Sequence, residues 1–167
     1  MILLFTRKNT IFSKLIRLFT GEEISHFVLY FPETEIVFHS FRRGVEIDWY
    51  QRFIKGYEVV YSLKVLNIGK AQESIFYRNI IQKYLGKPYD ILALLFMAVV
   101  IVARRVFNFR YKKNLWARES AFMCTELVNA IKELGIIRDV DWPDNLDMIT
   151  PKELFDLLNQ SGDTLEI

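Results

Sequence analysis

Phe122-Met123-Cys124-Thr125-Glu126-Leu127-Val128 carries the chain's single cysteine and opens a helical pattern in which Leu127, Val128, Ile131 and Leu134 recur on one face. The spacing predicts a helix that starts at Cys124 and runs to Gly135. A cysteine at a helix N-terminus lies in the positive end of the backbone dipole, which favours the thiolate. That is the setting a covalent nucleophile needs. Taken alone, Cys124 also reads as one more small buried apolar residue, as free cysteines usually are. The choice rests on the rest of the chain.

Both histidines of the chain fall well upstream. Ser25-His26-Phe27-Val28-Leu29-Tyr30-Phe31 is rich in strand formers, Pro32-Glu33-Thr34 is a turn, and Glu35-Ile36-Val37-Phe38-His39-Ser40 is a second strand. Two such runs predict an antiparallel hairpin, in which the start of one strand neighbours the end of the next. The two imidazoles are therefore expected side by side, and a cysteine on a helix packed against this sheet would reach the first of them. A cysteine, a base and a polar group that orients the base form the general nucleophile pattern. The plainer alternative makes His26 a half-exposed strand residue and His39 a strand-end cap.

Around this hairpin the elements alternate. Residues 1–5 read as a strand. Ile11, Phe12, Leu15, Ile16, Leu18 and Phe19 share a helical face, closed by Gly21. After Arg42-Arg43-Gly44, residues 45–49 form a strand. Residues 57–65 form another, with Val59, Tyr61, Leu63 and Val65 expected on one face. Residues 70–85 predict a helix with Ile75, Ile80, Ile81, Tyr84 and Leu85 inward, broken by Gly86-Lys87-Pro88-Tyr89-Asp90. A loop at 141–147 precedes a last helix, with Thr150 as cap, Pro151 in its first turn and Glu153 near its N-terminal end. The layout predicts an α+β fold, a small antiparallel sheet packed against helices, in one domain spanning residues 1–167.

Residues 91–103 are thirteen positions without a charge, bounded by Asp90 and by Arg104-Arg105. A bilayer-spanning helix needs about 20 apolar residues, so a buried helix is expected here. An interfacial helix is the second choice, because a basic and aromatic stretch follows at 107–118. Composition bounds the rest. At 167 residues with 51% hydrophobic and 15% aromatic content, the chain is long and apolar enough for a core of its own. A formal net charge of +2 gives no case for nucleic acid. One cysteine excludes an internal disulfide and a multi-cysteine zinc site. The N-terminal residues lack the order of a signal peptide, which points to the cytoplasm.

Several of these segments resemble the motifs of the circularly permuted NlpC/P60 hydrolases, papain-like proteins in which the histidine precedes the cysteine. Ser25-His26-Phe27-Val28-Leu29-Tyr30 is similar to their histidine strand, and Met123-Cys124-Thr125-Glu126-Leu127-Val128 to their nucleophile motif. Leu85-Gly86-Lys87-Pro88-Tyr89-Asp90 is similar to the Gly-x-x-Tyr-Asp segment before it. Ile149-Thr150-Pro151-Lys152-Glu153-Leu154 looks like their C-terminal Thr-Pro-x-x-Leu element. Ser13-Lys14-Leu15-Ile16-Arg17, with Thr20, echoes the helix before the histidine strand. Within that superfamily the chain resembles YiiX/YaeF-like members, with a histidine spacing similar to that of the related lecithin:retinol acyltransferase branch.

The resemblance implies a permuted papain-like fold. Cys124 would be the nucleophile and His26 the general base, later the acid. His39 would be the third polar member and fix the tautomer of His26. Tyr89 would offer its hydroxyl to the oxyanion beside the Cys124 backbone N–H. The reaction would pass through an acyl-thioester, with no metal and no cofactor. Two departures stand out: Thr125 replaces the more usual serine, and an apolar and basic insert at 91–120 separates Tyr89 from Cys124. The expected activity is that of a cysteine hydrolase or transferase: an amidase or peptidase, or an acyl-ester hydrolase. Its substrate would be a cell-wall peptide or a lipid acyl group, and the apolar insert favours the lipid. A non-catalytic module that binds a partner or a membrane through residues 91–113 is the alternative. A bacterial or phage source suits the family. Oligomeric state is not legible.

Overall fold

The computed structural model describes residues 1–41, 43–107, 124–144, 146 and 149–167, without the side chains of Phe41, Val102, residues 104–107, Cys124 and Glu126. Six strands, β1 (Ile2–Arg7), β2 (His26–Phe31), β3 (Ile36–Phe41), β4 (Gly44–Trp49), β5 (Glu58–Val65) and β6 (Thr164–Glu166), form one antiparallel sheet in the order β4-β3-β2-β1-β5-β6. The helices are α1 (Ile11–Thr20), α2 (Tyr50–Phe53), α3 (Lys70–Lys83), α4 (Ile91–Phe107), α5 (Val128–Glu133) and α6 (Pro151–Asn159), and a 3-10 turn, Cys124–Leu127, leads into α5. The architecture is α+β, as the alternation of periods predicts.

Strand alternation sorts side chains to the two faces of the sheet. Phe5, Phe27, Leu29, Phe38 and Leu63 enter the main core, where Phe76 and Ile80 of α3, Leu127, Val128, Ile131 and Leu154 meet them. Burying each such side chain is worth about 1.5–3 kcal/mol. On the opposite face Leu4, Val28 and Val37 pack with Phe53 of α2.

The β1–β5 register steps at one point: Phe5 faces Tyr61, but Thr6 faces Val59. Val60 is the extra residue of a bulge. Tyr61, Leu63 and Val65 stay with the main core, whereas Val59 and Tyr57 turn to the other face. The expectation that Val59 shares a face with Tyr61 fails here, because one inserted residue flips the parity of everything beyond it.

Helix boundaries differ in physically instructive ways. In α3 the buried positions are Phe76 and Ile80, with Tyr84 at its end, spaced four apart. Ile75, one position off that row, is 59% exposed, and Leu85, beyond the helix end, is also exposed, so neither points inward. The predicted helix at Cys124 begins instead as a 3-10 turn, and its α-helical part is short. Its apolar face is as expected, with Leu127, Val128 and Ile131 buried and Leu134 partly so. The apolar helix runs four residues past 103, so Arg104 and Arg105 lie on α4 itself. Asp90 Oδ1 accepts the Ala93 N–H at 2.9 Å and caps its start. At ~1.5 Å per residue α4 is about 26 Å long, and no helix among the described residues is long and apolar enough to cross a membrane. The basic and aromatic connection after Phe107 lies outside the described residues.

α1 ends at Gly21 as predicted, at φ 70°, and Thr10 Oγ1, which the sequence reading did not single out, caps its start by accepting the Ser13 N–H at 3.3 Å. Its orientation is the surprise. Ser13 and Thr20 are buried, while Ile11 is 80% and Leu18 70% exposed. The apolar stripe exists, but it faces outward and toward α4. α6 starts as expected with Thr150 as cap and Pro151 in its first turn, and Thr150 and Glu153 go further and form a reciprocal capping box.

One glycine fixes the segment that precedes α4. Gly44 sits at φ 111°, and a Cβ there would lie 2.0 Å from the Lys87 carbonyl oxygen. That close approach lets Val45 N–H donate to Lys87 O and Gly86 N–H donate to Val45 O, each at 2.9 Å. Residues 86–90 are thereby pinned to the start of β4, and Tyr89 with them.

Candidate functional site

His26 is the first residue of β2, and His39 lies across from Val28 on β3. The two histidines are thus diagonal neighbours on one face. Their ring centroids are 5.5 Å apart with planes at 85°, and both residues are buried. Tyr57, delivered to this face by the bulge, stacks on His26 at 5.4 Å. Phe53 of α2 lies 5.3 Å from His39 and stacks on Tyr57 at 4.2 Å. The imidazoles are enclosed by aromatic rings from two elements that have no catalytic signature in the sequence.

Enclosure sets their charge. Burial drives the His26 imidazole well below its ordinary pKa, and the neighbouring His39 and Lys8 push the same way. His39 falls to about 4, mainly through burial; Asp48 opposes this, while Lys8 and Arg52 add to it. Arg52 Nε donates to Asp48 Oδ1 at 2.5 Å, which offsets that carboxylate's pull. Both rings are neutral at pH 7, so each carries one N–H and one lone pair. His39 Nδ1 finds no hydrogen-bond partner among the described residues.

A narrow crevice opens at His26, lined also by Lys8, Phe12, Ser13, Ser25, Tyr57 and Tyr89. Ser13 and Ser25 hydroxyls are 2.6 Å apart, and Lys8 N–H donates to Ser13 Oγ at 3.2 Å, tying α1 to the start of β2. Tyr89 is buried, with its ring 6.3 Å from that of Phe12. The structure therefore brings together His26, His39 and Tyr89 of the four residues singled out from sequence. The backbone turn that begins at Cys124 lies against β2 and β3. The Cys124 thiol lies outside the described residues, as does the Glu126 side chain. Thr125 is buried, and Leu127 and Val128 enter the main core, on the opposite face of the sheet from the imidazoles.

Sequence reasoning missed Tyr57, Phe53 and Lys8. Tyr57 reads only as the first residue of a strand, and neither Phe53 nor Lys8 carries a local signal of a site. Only the bulge and the packing of α2 bring them to the histidines. Among the described residues no group of three His, Cys, Asp or Glu side chains could hold a metal ion.

No family model matches the sequence, and no curated protein matches it. Among solved structures the fold is similar to that of the metalloprotein yiiX from Escherichia coli O157:H7. The likeness covers 99% of this chain and 94% of that one, at 18% identity and a TM-score of 0.51. At that identity the likeness is one of fold.

Proposed function

We propose that the protein is a cysteine-dependent hydrolase or acyltransferase of the circularly permuted NlpC/P60 kind, with Cys124 as nucleophile and His26 as base. One observation carries the reading: the neutral imidazoles of His26 and His39 lie edge to face, His26 shares its crevice with Tyr89, and the backbone turn that begins at Cys124 lies against the same two strands. In the proposed cycle His26 takes the thiol proton, and the sulfur adds to a carbonyl carbon. The oxyanion meets the Tyr89 hydroxyl and the Cys124 backbone N–H. Collapse breaks the bond to the leaving group, which His26 protonates, leaving an acyl-thioester. Water or a second acceptor then attacks the thioester carbon and loses its proton to His26; the C–S bond breaks, the acyl product leaves, and the Cys124 sulfur recovers that proton from His26. His39 holds the His26 ring in place. The structural neighbour is named a metalloprotein; among the described residues of this chain no three His, Cys, Asp or Glu side chains are grouped to hold a metal ion.

The substrate class is drawn from α1 and α4. Ile11, Leu15 and Leu18 of α1 and Leu92, Leu95 and Val99 of α4 are exposed. The groove between the helices is lined by residues such as Phe12, Ile16, Leu94 and Met97. Phe12 and Ile16 also line the His26 crevice, so the apolar groove adjoins the proposed site. This supports an acyl substrate taken from a lipid surface over a cell-wall peptide. Arg104 and Arg105 on α4 suit an anionic surface. The same exposed face favours the second reading, a membrane-associated module without catalysis.

Mass spectrometry separates the two. Incubation with a short-chain p-nitrophenyl ester should leave one acyl adduct on Cys124, absent in Cys124→Ser. A thiol that stays inert toward acylating and alkylating reagents until the protein unfolds overturns the enzyme reading.

A further inference from the structure

We propose that the cleft beside the His26 crevice is a binding site for a phosphate-type or carboxylate oxyanion, held by Lys8, Arg17 and Lys55. The cleft has a volume of about 610 Å³, and its charged lining residues are Arg7, Lys8, Arg17, Lys55 and Glu58. Arg7 and Glu58 satisfy one another through a two-point pair, Nε to Oε2 at 2.8 Å and Nη2 to Oε1 at 2.5 Å. Glu58 is the one carboxylate among the described lining residues, and its charge, shared between Arg7 and the nearby Arg17, is outnumbered by the four cations of the lining.

Lys8, Arg17 and Lys55 are each set there by local structure. Arg17 lies on the polar side of α1, the side turned inward because the apolar stripe faces out, and its Nε is buried with no hydrogen-bond partner among the described residues. Lys8 follows β1, and its Nζ stands 4.5 Å over the Tyr57 ring. Lys55 is exposed at the mouth, beside Gly56. A cleft lined by one sign of charge concentrates ions of the other sign. A guanidinium beside ammonium groups suits an oxyanion that accepts a two-point contact and carries more than one negative oxygen.

The cleft adjoins the proposed reaction site. Lys8 and Tyr57 line both spaces, and the Tyr57 ring contacts both the Lys8 ammonium, at 4.5 Å, and the His26 imidazole, at 5.4 Å. An oxyanion in the cleft would therefore anchor a substrate whose reactive group lies at His26. The inference rests on the proposed reaction for its meaning as a substrate subsite. Its test needs no turnover, so it stands or fails apart from the chemistry of Cys124.

The chain has only two histidines, so their ring resonances report directly on the cleft. Titration of the full chain with inorganic phosphate at constant ionic strength, followed by imidazole ¹⁵N shifts and calorimetry, should show saturable binding and a shift of the His26 ring. Arg17→Ala with Lys55→Ala should weaken that binding at least tenfold. Arg17→Lys with Lys55→Arg should retain most of it, and Lys70→Ala, at the distant Glu33 pair, should leave it unchanged. Dihexanoyl phosphatidic acid below its micelle concentration provides a second arm. Tighter binding than inorganic phosphate assigns the oxyanion to a lipid headgroup; equal binding assigns it to a phosphate-type group without an acyl requirement. Shifts that stay linear in phosphate, or an affinity that falls as much with Lys70→Ala as with the Arg17 and Lys55 pair, overturn the site. Lys55 is exposed, so Lys55→Glu alone provides a variant whose folding is not at risk; unchanged phosphate affinity in it also counts against the proposal.

Discussion

His26 and His39 meet edge to face across the β2–β3 pair, with ring centroids 5.5 Å apart. The register that makes them diagonal rather than directly opposite turns the edge of one ring onto the face of the other. His26 lines the crevice with Tyr89, and His39 packs against His26 from β3.

The first expectation concerns those roles. His26→Ala should lower the rate of acyl-adduct formation on Cys124 by about 10²-fold or more, the usual size of a lost general base. His39→Ala should cost less, and His39→Gln, which keeps a hydrogen-bonding side chain, less again. Adduct formation timed by mass spectrometry ranks the three. A His39→Ala rate equal to wild type would reduce His39 to a strand-end residue.

Stability should fall in mild acid. The folded-state pKa of His39 is lowered from 6.5 to about 4, and that of His26 is lowered well below 6.5. The unfolded chain then binds more protons than the native one between those limits, so stability is full above pH ~6.5 and declines as pH drops toward ~4. His39 alone accounts for about 3 kcal/mol of that loss. Urea midpoints measured at several pH values should show a shallower slope in His39→Gln than in wild type. Parallel slopes would mean that His39 is solvated in the native state.

Tyr57→Ala should raise both histidine pKa values. The Tyr57 ring covers His26 and packs against Phe53, so its removal admits water and weakens the desolvation that keeps the imidazoles neutral. NMR titration of the two rings reads this directly, and unchanged titration midpoints would count against the aromatic enclosure.

Gly44→Ala should destabilise the protein by about 3 kcal/mol or more. It places a Cβ 2.0 Å from Lys87 O at a backbone angle that suits only glycine. Because Lys87 leads to Tyr89, the variant should also slow acyl-adduct formation at temperatures where it remains folded. A variant with the wild-type Tm would show that the β4 and Lys87 segments separate without cost.

The outward face of α1 and α4 should bind anionic vesicles at low salt. Leu18→Gln with Val99→Gln should weaken co-sedimentation about tenfold or more, and Arg104→Glu with Arg105→Glu should remove the salt dependence. No co-sedimentation of wild type at low salt would leave a peptide amide as the better substrate.

The sequence made some of this legible because the signals were local. Thr150, Pro151 and Glu153 announce the start of α6, and Gly21 the end of α1, since caps depend on a few adjacent residues. The pairing of His26 and His39 followed from two strands and a short turn, whose geometry admits few registers. Ile75 and Leu85 misled because several apolar residues compete for one helical face, and the choice of Phe76 and Ile80 is made by the sheet opposite. Val59 misled because a bulge leaves no mark in an alternating pattern.

The amino-acid order by itself determined the α+β class, the hairpin that joins the histidines and the apolar stripes of α1 and α4. All of these are set by periodicity and short-range geometry. The tertiary structure alone decided that the α1 stripe faces outward, that Val60 is bulged and that Tyr57 therefore lies on His26. It also decided that Lys8, Arg17 and Lys55 share one cleft. These are relations between segments distant along the chain. They arise from which face of each element is buried against another, and that choice is made by the whole core at once rather than by neighbouring residues.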